Sequence, residues 1–196
     1  MVKDLMIIKQ KEIIDPDQNN FQVMMSWEKP YMEKCAEVLK PHGDVLEIGF
    51  GMGYSATAIN KYRLNSYTVI EKDAGIIKNF NKWKLKQKNK KLKVIKGMWQ
   101  YVLPFLKKKY DCIFFDDSPT NIRGSRLNNF IQIILLNNVK YNTRLVCYST
   151  CITKYTGHIA THFKYRYLKH MIKIPYYCRY AKGNYMYIKE IVFQKK

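Results

Sequence analysis

Apolar and polar residues follow two periods along this chain, which predict strands and helices in turn. Short apolar runs predict seven strands, at residues 44–48, 66–71, 92–96, 110–115, 143–149, 171–176 and 185–193. Apolar residues three and four positions apart predict helices, at residues 27–40, 54–63, 75–86, 98–107, 125–139 and 154–170. This alternation predicts an α/β fold, a Rossmann-like three-layer α/β/α sandwich.

The end of the chain breaks the alternation. The last two predicted strands are separated only by a short segment that contains the turn pair Gly183-Asn184, which favours antiparallel pairing. We therefore predict a seven-stranded, mostly parallel sheet with an antiparallel last strand. Residues 1–22 are expected to form an N-terminal arm and residues 23–196 a single domain.

Three glycines at alternate positions, Gly49, Gly51 and Gly53, follow an apolar run and an acid, Glu47. Glycine permits positive φ and a close approach of ligand atoms to the backbone. Eighteen residues after Gly53, a second apolar run ends in Glu71, which is placed to accept hydrogen bonds from both ribose hydroxyls. The pair predicts a site for an adenosine-bearing cofactor.

The residue at position 54 indicates which cofactor. A dinucleotide fingerprint needs a small residue there so that the helix packs closely over a pyrophosphate, and this chain has Tyr54. The spacing suits S-adenosylmethionine (SAM), which has no pyrophosphate. A tight turn without any ligand is the alternative.

Composition narrows the other possibilities. Among the 196 residues, 47% are hydrophobic, which favours a folded domain, and the net charge is +20. Lysine supplies 29 of the 35 basic residues, and eight lysines lie between Lys82 and Lys96. A patch that contacts nucleic acid and a solvated charged face produced by an AT-rich genome both remain open.

Membrane, metal and disulfide classes are not indicated. The chain has no apolar run of about 18 residues and no signal-like start. Its five cysteines form no Cys-x-x-Cys pair, as expected for reduced thiols in a cytoplasmic protein without a metal site.

Two acids, Asp116 and Asp117, follow the fourth predicted strand. Asp116 is predicted to lie at the rim beside the glycine turn, where open α/β sheets bind ligands. Taken alone, an acid at this position is equally well explained as a turn or capping residue.

Three blocks of sequence carry a family resemblance. Residues 23–32 (VMMSWEKPYM), 47–52 (EIGFGM) and 97–99 (GMW) resemble the guanidinoacetate N-methyltransferase family, whose blocks the protein-arginine δ-N-methyltransferases share. The resemblance extends from Val23 to Tyr180. It implies a class I SAM-dependent N-methyltransferase.

The resemblance also implies roles for individual residues. Glu28 and Asp116 are expected to be catalytic: both grip a substrate guanidinium, and Asp116 also assists loss of its proton. The implied cofactor-binding residues are Met24, Met32, Gly49, Phe50, Gly51, Met52, Gly53, Tyr54, Ser55, Glu71, Lys72, Asp73, Trp99, Gln100 and Asp116. The implied substrate-binding residues are Met24, Glu28, Asp116, Thr150 and Cys151.

The acceptor is less well defined than the cofactor. Asp117-Ser118 replaces a Thr-Tyr or Thr-Phe of the family, and Tyr148-Ser149 precedes Thr150. Because only about 22 residues precede the Trp-Glu block, a guanidinoacetate-like small molecule is favoured over protein arginine. The alternatives are methylation of nucleic acid or another amine, and a module that keeps the fold without turnover. The segment 116–119 (DDSP) lacks the paired prolines and the aromatic residue that base amino-methylases use, so nucleic acid is not favoured.

Overall fold

The computed structural model describes residues 7–8, 11–16, 19–89, 91–117, 126–149, 152 and 158–194. The strands are β1 (Ile7–Ile8), β2 (Glu12–Asp15), β3 (Phe21–Met25), β4 (Gly43–Ile48), β5 (Leu64–Glu71), β6 (Leu92–Lys96), β7 (Cys112–Phe115), β8 (Arg144–Ser149), β9 (Phe163–Met171) and β10 (Tyr185–Phe193). The α-helices are α1 (Lys29–Leu39), α2 (Tyr54–Ile59), α3 (Ala74–Leu85), α4 (Trp99–Val102) and α5 (Arg126–Asn137). Short 3₁₀ turns are Ser26–Glu28, Leu103–Phe105 and His158–His162.

Seven strands form one sheet in the order β6-β5-β4-β7-β8-β10-β9. The first five of these are parallel to one another, and β10 pairs antiparallel with both β8 and β9. The predicted mostly parallel sheet with an antiparallel last strand is confirmed.

The helices cover both faces of this sheet. Because side chains alternate along a strand, Cys112 and Phe114 of β7 enter one apolar cluster, while Ile113 and Phe115 enter another. The first cluster contains residues of α1, α2 and α3, and the second contains residues of α4 and α5. The three-layer α/β/α prediction is therefore also confirmed.

The predicted helix at 154–170 is wrong over residues 163–170, which lie in β9, while residues 158–162 form a 3₁₀ turn. Residues 163–171 form β9, and all nine pair with β10. The strand predicted at 171–176 therefore lies earlier in the chain, at residues 163–171. Phe163, Tyr165 and Tyr167 recur every second residue, a strand period that the neighbouring Leu168 obscures. Residues 154–157 lie outside the described residues.

Two predicted helices are shorter than expected. The segment predicted at 98–107 has its α-helix only at α4 and continues as a 3₁₀ turn that contains Pro104, which has no backbone N–H to donate. Helix α2 ends at Ile59, before the predicted residue 63. Neither change moves the glycine turn or the rim of the sheet.

Strands β1, β2 and β3 form a separate antiparallel sheet. Strand β3 crosses the predicted boundary between residues 22 and 23 and leads directly into the turn that carries Glu28. The division into an arm and one domain stays a prediction. No helix among the described residues has the length and apolar character needed to cross a bilayer.

Candidate active site

The glycine turn after β4 is tightly enclosed by backbone and side chain. Gly49 has φ of 81°, and a Cβ there would collide with the backbone carbonyl of Asp116. Gly51 has φ of 53°, and a Cβ there would lie 2.5 Å from the sulfur of Met24. Glycine is thus required at both positions, which brings the ends of β3, β4 and β7 together.

A cavity of about 750 Å³, counting its solvent-open part, lies at the carboxyl edge of the parallel strands. It is lined by Val23, Met24, Ile48, Gly49, Gly51, Ile70, Glu71, Lys72, Ile76, Gly97, Met98, Trp99, Gln100, Asp116, Asp117 and Arg126. The predicted cofactor residues among these are Met24, Gly49, Gly51, Glu71, Lys72, Trp99, Gln100 and Asp116. The structure thus brings residues from five separate segments of the prediction to one place.

The other predicted cofactor residues do not line this cavity: Met32, Phe50, Met52, Gly53, Tyr54, Ser55 and Asp73. Phe50 packs against the rings of Phe80 and Trp83, and Met32 is fully buried in the core. The Ser55 hydroxyl donates to the buried Glu47. These side chains support the turn from behind.

Three of these seven residues, Met52, Gly53 and Asp73, stabilise the backbone of the glycine turn or of the helices beside it. The Met52 N–H donates to the Met24 sulfur at 3.1 Å, and Gly53, with φ of 72°, is the N-cap of α2. The Asp73 carboxylate accepts the Ile76 N–H at 2.8 Å and caps α3. Their contact with a cofactor stays a prediction.

Glu71 is held by the backbone. Its carboxylate accepts N–H bonds from Phe50 at 3.0 Å, Lys72 at 2.7 Å and Asp73 at 2.9 Å. A carboxylate has about four acceptor positions, so about one remains for a ligand hydroxyl. Burial raises the pKa of Glu71, and the three N–H bonds partly offset that rise. The expected second ribose contact must therefore share this position or find another partner.

The cavity wall also contains an ion pair that the sequence did not reveal. The Trp99 indole N–H donates to Asp117 at 2.6 Å, and Arg126 Nε donates to the same oxygen at 3.0 Å. The Arg126 guanidinium lies 5.9 Å from the centre of the Trp99 ring. The charge of Asp117 is thus paired beside Trp99. No spacing in the sequence links these three residues.

One polar atom on the cavity wall lacks a hydrogen bond. The Gln100 side-chain oxygen is buried and has no partner among the described residues. A buried acceptor of this kind carries a desolvation cost until a donor reaches it. An amino group such as that of adenine would supply such a donor.

Glu28 lies in the 3₁₀ turn after β3 and is only 2% exposed. Its Oε1 accepts the Met25 N–H at 2.7 Å and the Tyr180 hydroxyl. Burial raises the pKa of Glu28 to about 7, and the hydrogen bonds from Tyr180 and Met25, together with the nearby Tyr148 hydroxyl, limit the rise. The tyrosines around Glu28 were not part of the predicted site.

Asp116 follows β7 and is half-buried at the cavity. Burial raises its pKa well above the ordinary value, and the next largest cause is the negative charge of Glu28. The two predicted catalytic carboxyls therefore lie close enough to interact. Without a cation between them, such a pair retains a proton.

Two predicted substrate residues, Thr150 and Cys151, lie outside the described residues. The described part of β8 ends at Ser149, whose N–H donates to the Tyr31 hydroxyl at 3.1 Å. No group of three or more His, Cys, Asp or Glu side chains suited to a metal ion occurs in the described part of the chain.

A glycine turn and a cavity at the carboxyl edge of a seven-stranded sheet, parallel except for antiparallel β10, fit the class I methyltransferase architecture. The chain belongs to the guanidinoacetate N-methyltransferase family, whose model matches residues 18–175. Protein arginine N-methyltransferase 2 of Gibberella zeae is 30% identical over 121 residues, 54% of this chain and 27% of that protein. The chain thus spans about a quarter of the length of this curated relative.

Solved structures share the fold at low identity. Spermidine synthase from Thermotoga maritima has a TM-score of 0.65 and 14% identity, covering 96% of this chain and 72% of its own. The putative methyltransferase YhhF of Escherichia coli has a TM-score of 0.63 and 13% identity, and the match covers 87% of this chain and 85% of that one. The O-methyltransferase TomG of Streptomyces achromogenes, solved in complex with SAM, has a TM-score of 0.61 and 11% identity. The match covers 91% of this chain and 84% of that one.

Together these findings show the family of this chain and its class I methyltransferase fold. The cavity fits SAM, the cofactor predicted from the sequence, on one observation: the buried side-chain oxygen of Gln100 on its wall has no partner among the described residues. Glu71 and Gln100 would hold the adenosine part. When bound, SAM supplies a methyl group already activated by its positive sulfur.

Proposed function

We propose that this enzyme methylates a guanidino nitrogen, and that a guanidinoacetate-like small molecule is preferred to arginine in a protein. The observation that carries the proposal is that a buried carboxyl, Glu28, lies close enough to the cavity-lining carboxyl of Asp116 for its charge to raise the pKa of Asp116. The family match and the arginine methyltransferase relative both support a guanidino acceptor.

The two carboxyls suit a guanidinium because it is planar, cationic and rich in N–H donors. Carboxylates bind this fork through two parallel hydrogen bonds, which fixes the orientation of its nitrogens. Arrival of the cation lowers the pKa of both Glu28 and Asp116, so the proton they share leaves as the substrate binds. The chain therefore exchanges a buried proton for a buried organic cation.

Asp116 then has a second task. A guanidinium nitrogen loses a proton as it gains a methyl group, and Asp116 is the carboxyl that lines the cavity. Its environment favours the protonated form, which makes it a competent acceptor for that proton. Glu28, buried and bonded to Met25 and Tyr180, keeps the remaining positive charge in place.

The preference for a small molecule over arginine in a protein is supported by fewer observations. The family description supports guanidinoacetate, while the Gibberella zeae relative supports arginine in a protein. Nucleic acid or another amine is the competing acceptor, suggested by the net charge of +20.

Incubation with methyl-labelled SAM and a panel of acceptors tests the proposal. We expect label in guanidinoacetate, less in free arginine and arginine peptides, and none in oligonucleotides. Glu28→Gln and Asp116→Asn should each remove incorporation. Label found only in RNA or DNA would overturn the proposal, as would near-normal rates for both variants.

A further inference from the structure

A third side chain lies against the two carboxyls. Tyr148, in β8, packs its ring edge-on against Tyr31, with ring centres 5.4 Å apart and an interplanar angle of 78°. Tyr31 is fixed in turn, because its hydroxyl donates to the Tyr187 carbonyl at 2.6 Å and accepts the Ser149 N–H at 3.1 Å. The Tyr148 ring therefore has a rigid support.

The Tyr148 hydroxyl is buried and lies near Glu28, but it makes no well-formed hydrogen bond with any of the described residues. Phe115 pairs with Cys147 in the parallel strands β7 and β8, so the next residues, Asp116 and Tyr148, lie at neighbouring strand positions. Tyr148 also packs against the same apolar cluster as Tyr180, which bonds to Glu28. The negative charges of Glu28 and Asp116 raise the pKa of Tyr148, after burial, in agreement with this placement.

The hydrogen bonds to Glu28 from Met25 and Tyr180 both reach Oε1. The second oxygen, Oε2, receives no hydrogen bond from the described residues, so it is available beside Tyr148.

We propose that the Tyr148 hydroxyl is a substrate-positioning group, which accepts an N–H of the acceptor guanidinium while donating to Glu28. This inference rests on the proposed guanidino specificity. Glu28 Oε2, Asp116 and the phenol oxygen then surround a planar cation on three sides. A buried hydroxyl without a partner is costly, and a guanidinium has enough N–H groups to satisfy it and both carboxyls.

Tyr148→Phe tests the inference because it removes only the oxygen. We expect the KM for guanidinoacetate to rise about tenfold, the effect of losing one buried hydrogen bond, with a smaller change in kcat. The dissociation constant for SAM should stay within about twofold, since Tyr148 does not line the cofactor cavity.

Tyr110→Phe is the matched control. The Tyr110 hydroxyl is likewise buried without a hydrogen bond to described residues, but Tyr110 precedes β7, at the opposite end of the parallel strands. This variant should leave the KM for guanidinoacetate unchanged. Should Tyr148→Phe fail to fold, Tyr148→Met removes the same hydroxyl with an adaptable side chain, and the same rise in KM is expected.

A pH profile separates positioning from a structural role. The nearby Tyr148 hydroxyl lowers the pKa of Glu28, so the acidic limb of kcat/KM should move to higher pH in Tyr148→Phe. A merely structural role would leave that limb in place. The titratable groups that interact with Glu28 are Cys35, Tyr54, Asp116, Tyr148 and Tyr180.

The outcomes separate this inference from the function on which it rests. Wild-type KM and pH profile in Tyr148→Phe, together with loss of turnover in Glu28→Gln, would overturn the role of Tyr148 and leave the guanidino proposal standing. If the wild-type enzyme methylates no guanidino acceptor, both fall. A raised KM with a shifted acidic limb supports the inference.

Discussion

The cofactor side and the acceptor side of this site are built in different ways. On the cofactor side, backbone groups determine the geometry. A Cβ at Gly49 or Gly51 would collide with neighbouring atoms, and three backbone N–H groups fix the Glu71 carboxylate. On the acceptor side, side chains from separate elements converge, with Tyr180 and Tyr148 around Glu28. A backbone site tolerates change in its neighbours, whereas a side-chain site depends on each member.

The largest effect is expected from Asp116→Asn, the change that breaks the acceptor side most directly. Loss of the proton acceptor should lower kcat by about 10²–10⁴-fold, the range for general acid–base groups. Initial rates with saturating SAM and guanidinoacetate measure it. Asp111→Asn is a matched control, because Asp111 precedes the same strand and pairs with Lys140 away from the cavity. A similar loss in both variants would point to unfolding instead of chemistry.

This contrast also explains what could be predicted from sequence. The glycine turn and Glu71 act through local backbone geometry, so their spacing in the chain was enough to indicate an adenosine-bearing cofactor. The apolar runs likewise predicted that most of the sheet is parallel. A parallel strand buried on both faces must be apolar throughout, as β7 is.

Long-range contacts could not be predicted in this way. Tyr180 is 152 positions from Glu28, and no periodicity links the two. Arg126 and Trp99 both bond to Asp117, and the Arg126 guanidinium also lies 5.9 Å from the centre of the Trp99 ring, although no spacing in the sequence links them. Strand β9 was predicted as a helix because Leu168 obscures the strand period of Phe163, Tyr165 and Tyr167, and its long-range pairing with β10 cannot be seen in the local pattern.

Gly49→Ala tests whether the cofactor side depends on the backbone. A Cβ at φ of 81° is strained and also meets the Asp116 carbonyl. We expect a loss of about 1–3 kcal/mol in the free energy of unfolding, with weakened SAM binding. Gly183→Ala is the matched control, since Gly183 has φ of 93° but open space where the Cβ would lie.

Denaturant melts and SAM titration of both glycine variants measure the difference. The control should show the backbone strain alone, with normal SAM affinity. Equal SAM affinity in Gly49→Ala and Gly183→Ala would mean that the close approach at Gly49 is not needed for the cofactor.

Glu28→Gln should make the protein more stable at pH 8 while removing activity. Burial raises the folded-state pKa of Glu28 to about 7 from 4.5, so the folded state binds more protons than the unfolded state between these values. Stability from this group is therefore full below about pH 4.5 and falls as pH rises towards and past 7, by about 3 kcal/mol. Glutamine keeps an acceptor for Met25 and Tyr180 without the charge.

Thermal melts at pH 5 and pH 8 check this prediction. The variant should gain on the wild type at pH 8 and match it more closely at pH 5. If the two proteins were equally stable at both pH values, the charge of buried Glu28 would not destabilise the folded state, and the prediction would be wrong.

Arg126→Gln should have the smallest effect, because it alters a side-chain contact on the mainly backbone-built cofactor side. Arg126 pairs with Asp117, and Asp117 accepts the Trp99 indole N–H. Without the guanidinium, Asp117 is left with uncompensated charge beside the ring, so SAM should bind about fivefold more weakly, equivalent to about 1 kcal/mol. Arg166→Gln, which breaks an ion pair with Glu190 on β10, should leave SAM affinity unchanged. A loss as large as that from Gly49→Ala would mean that side chains also determine the cofactor side, and the contrast between the two sides would disappear.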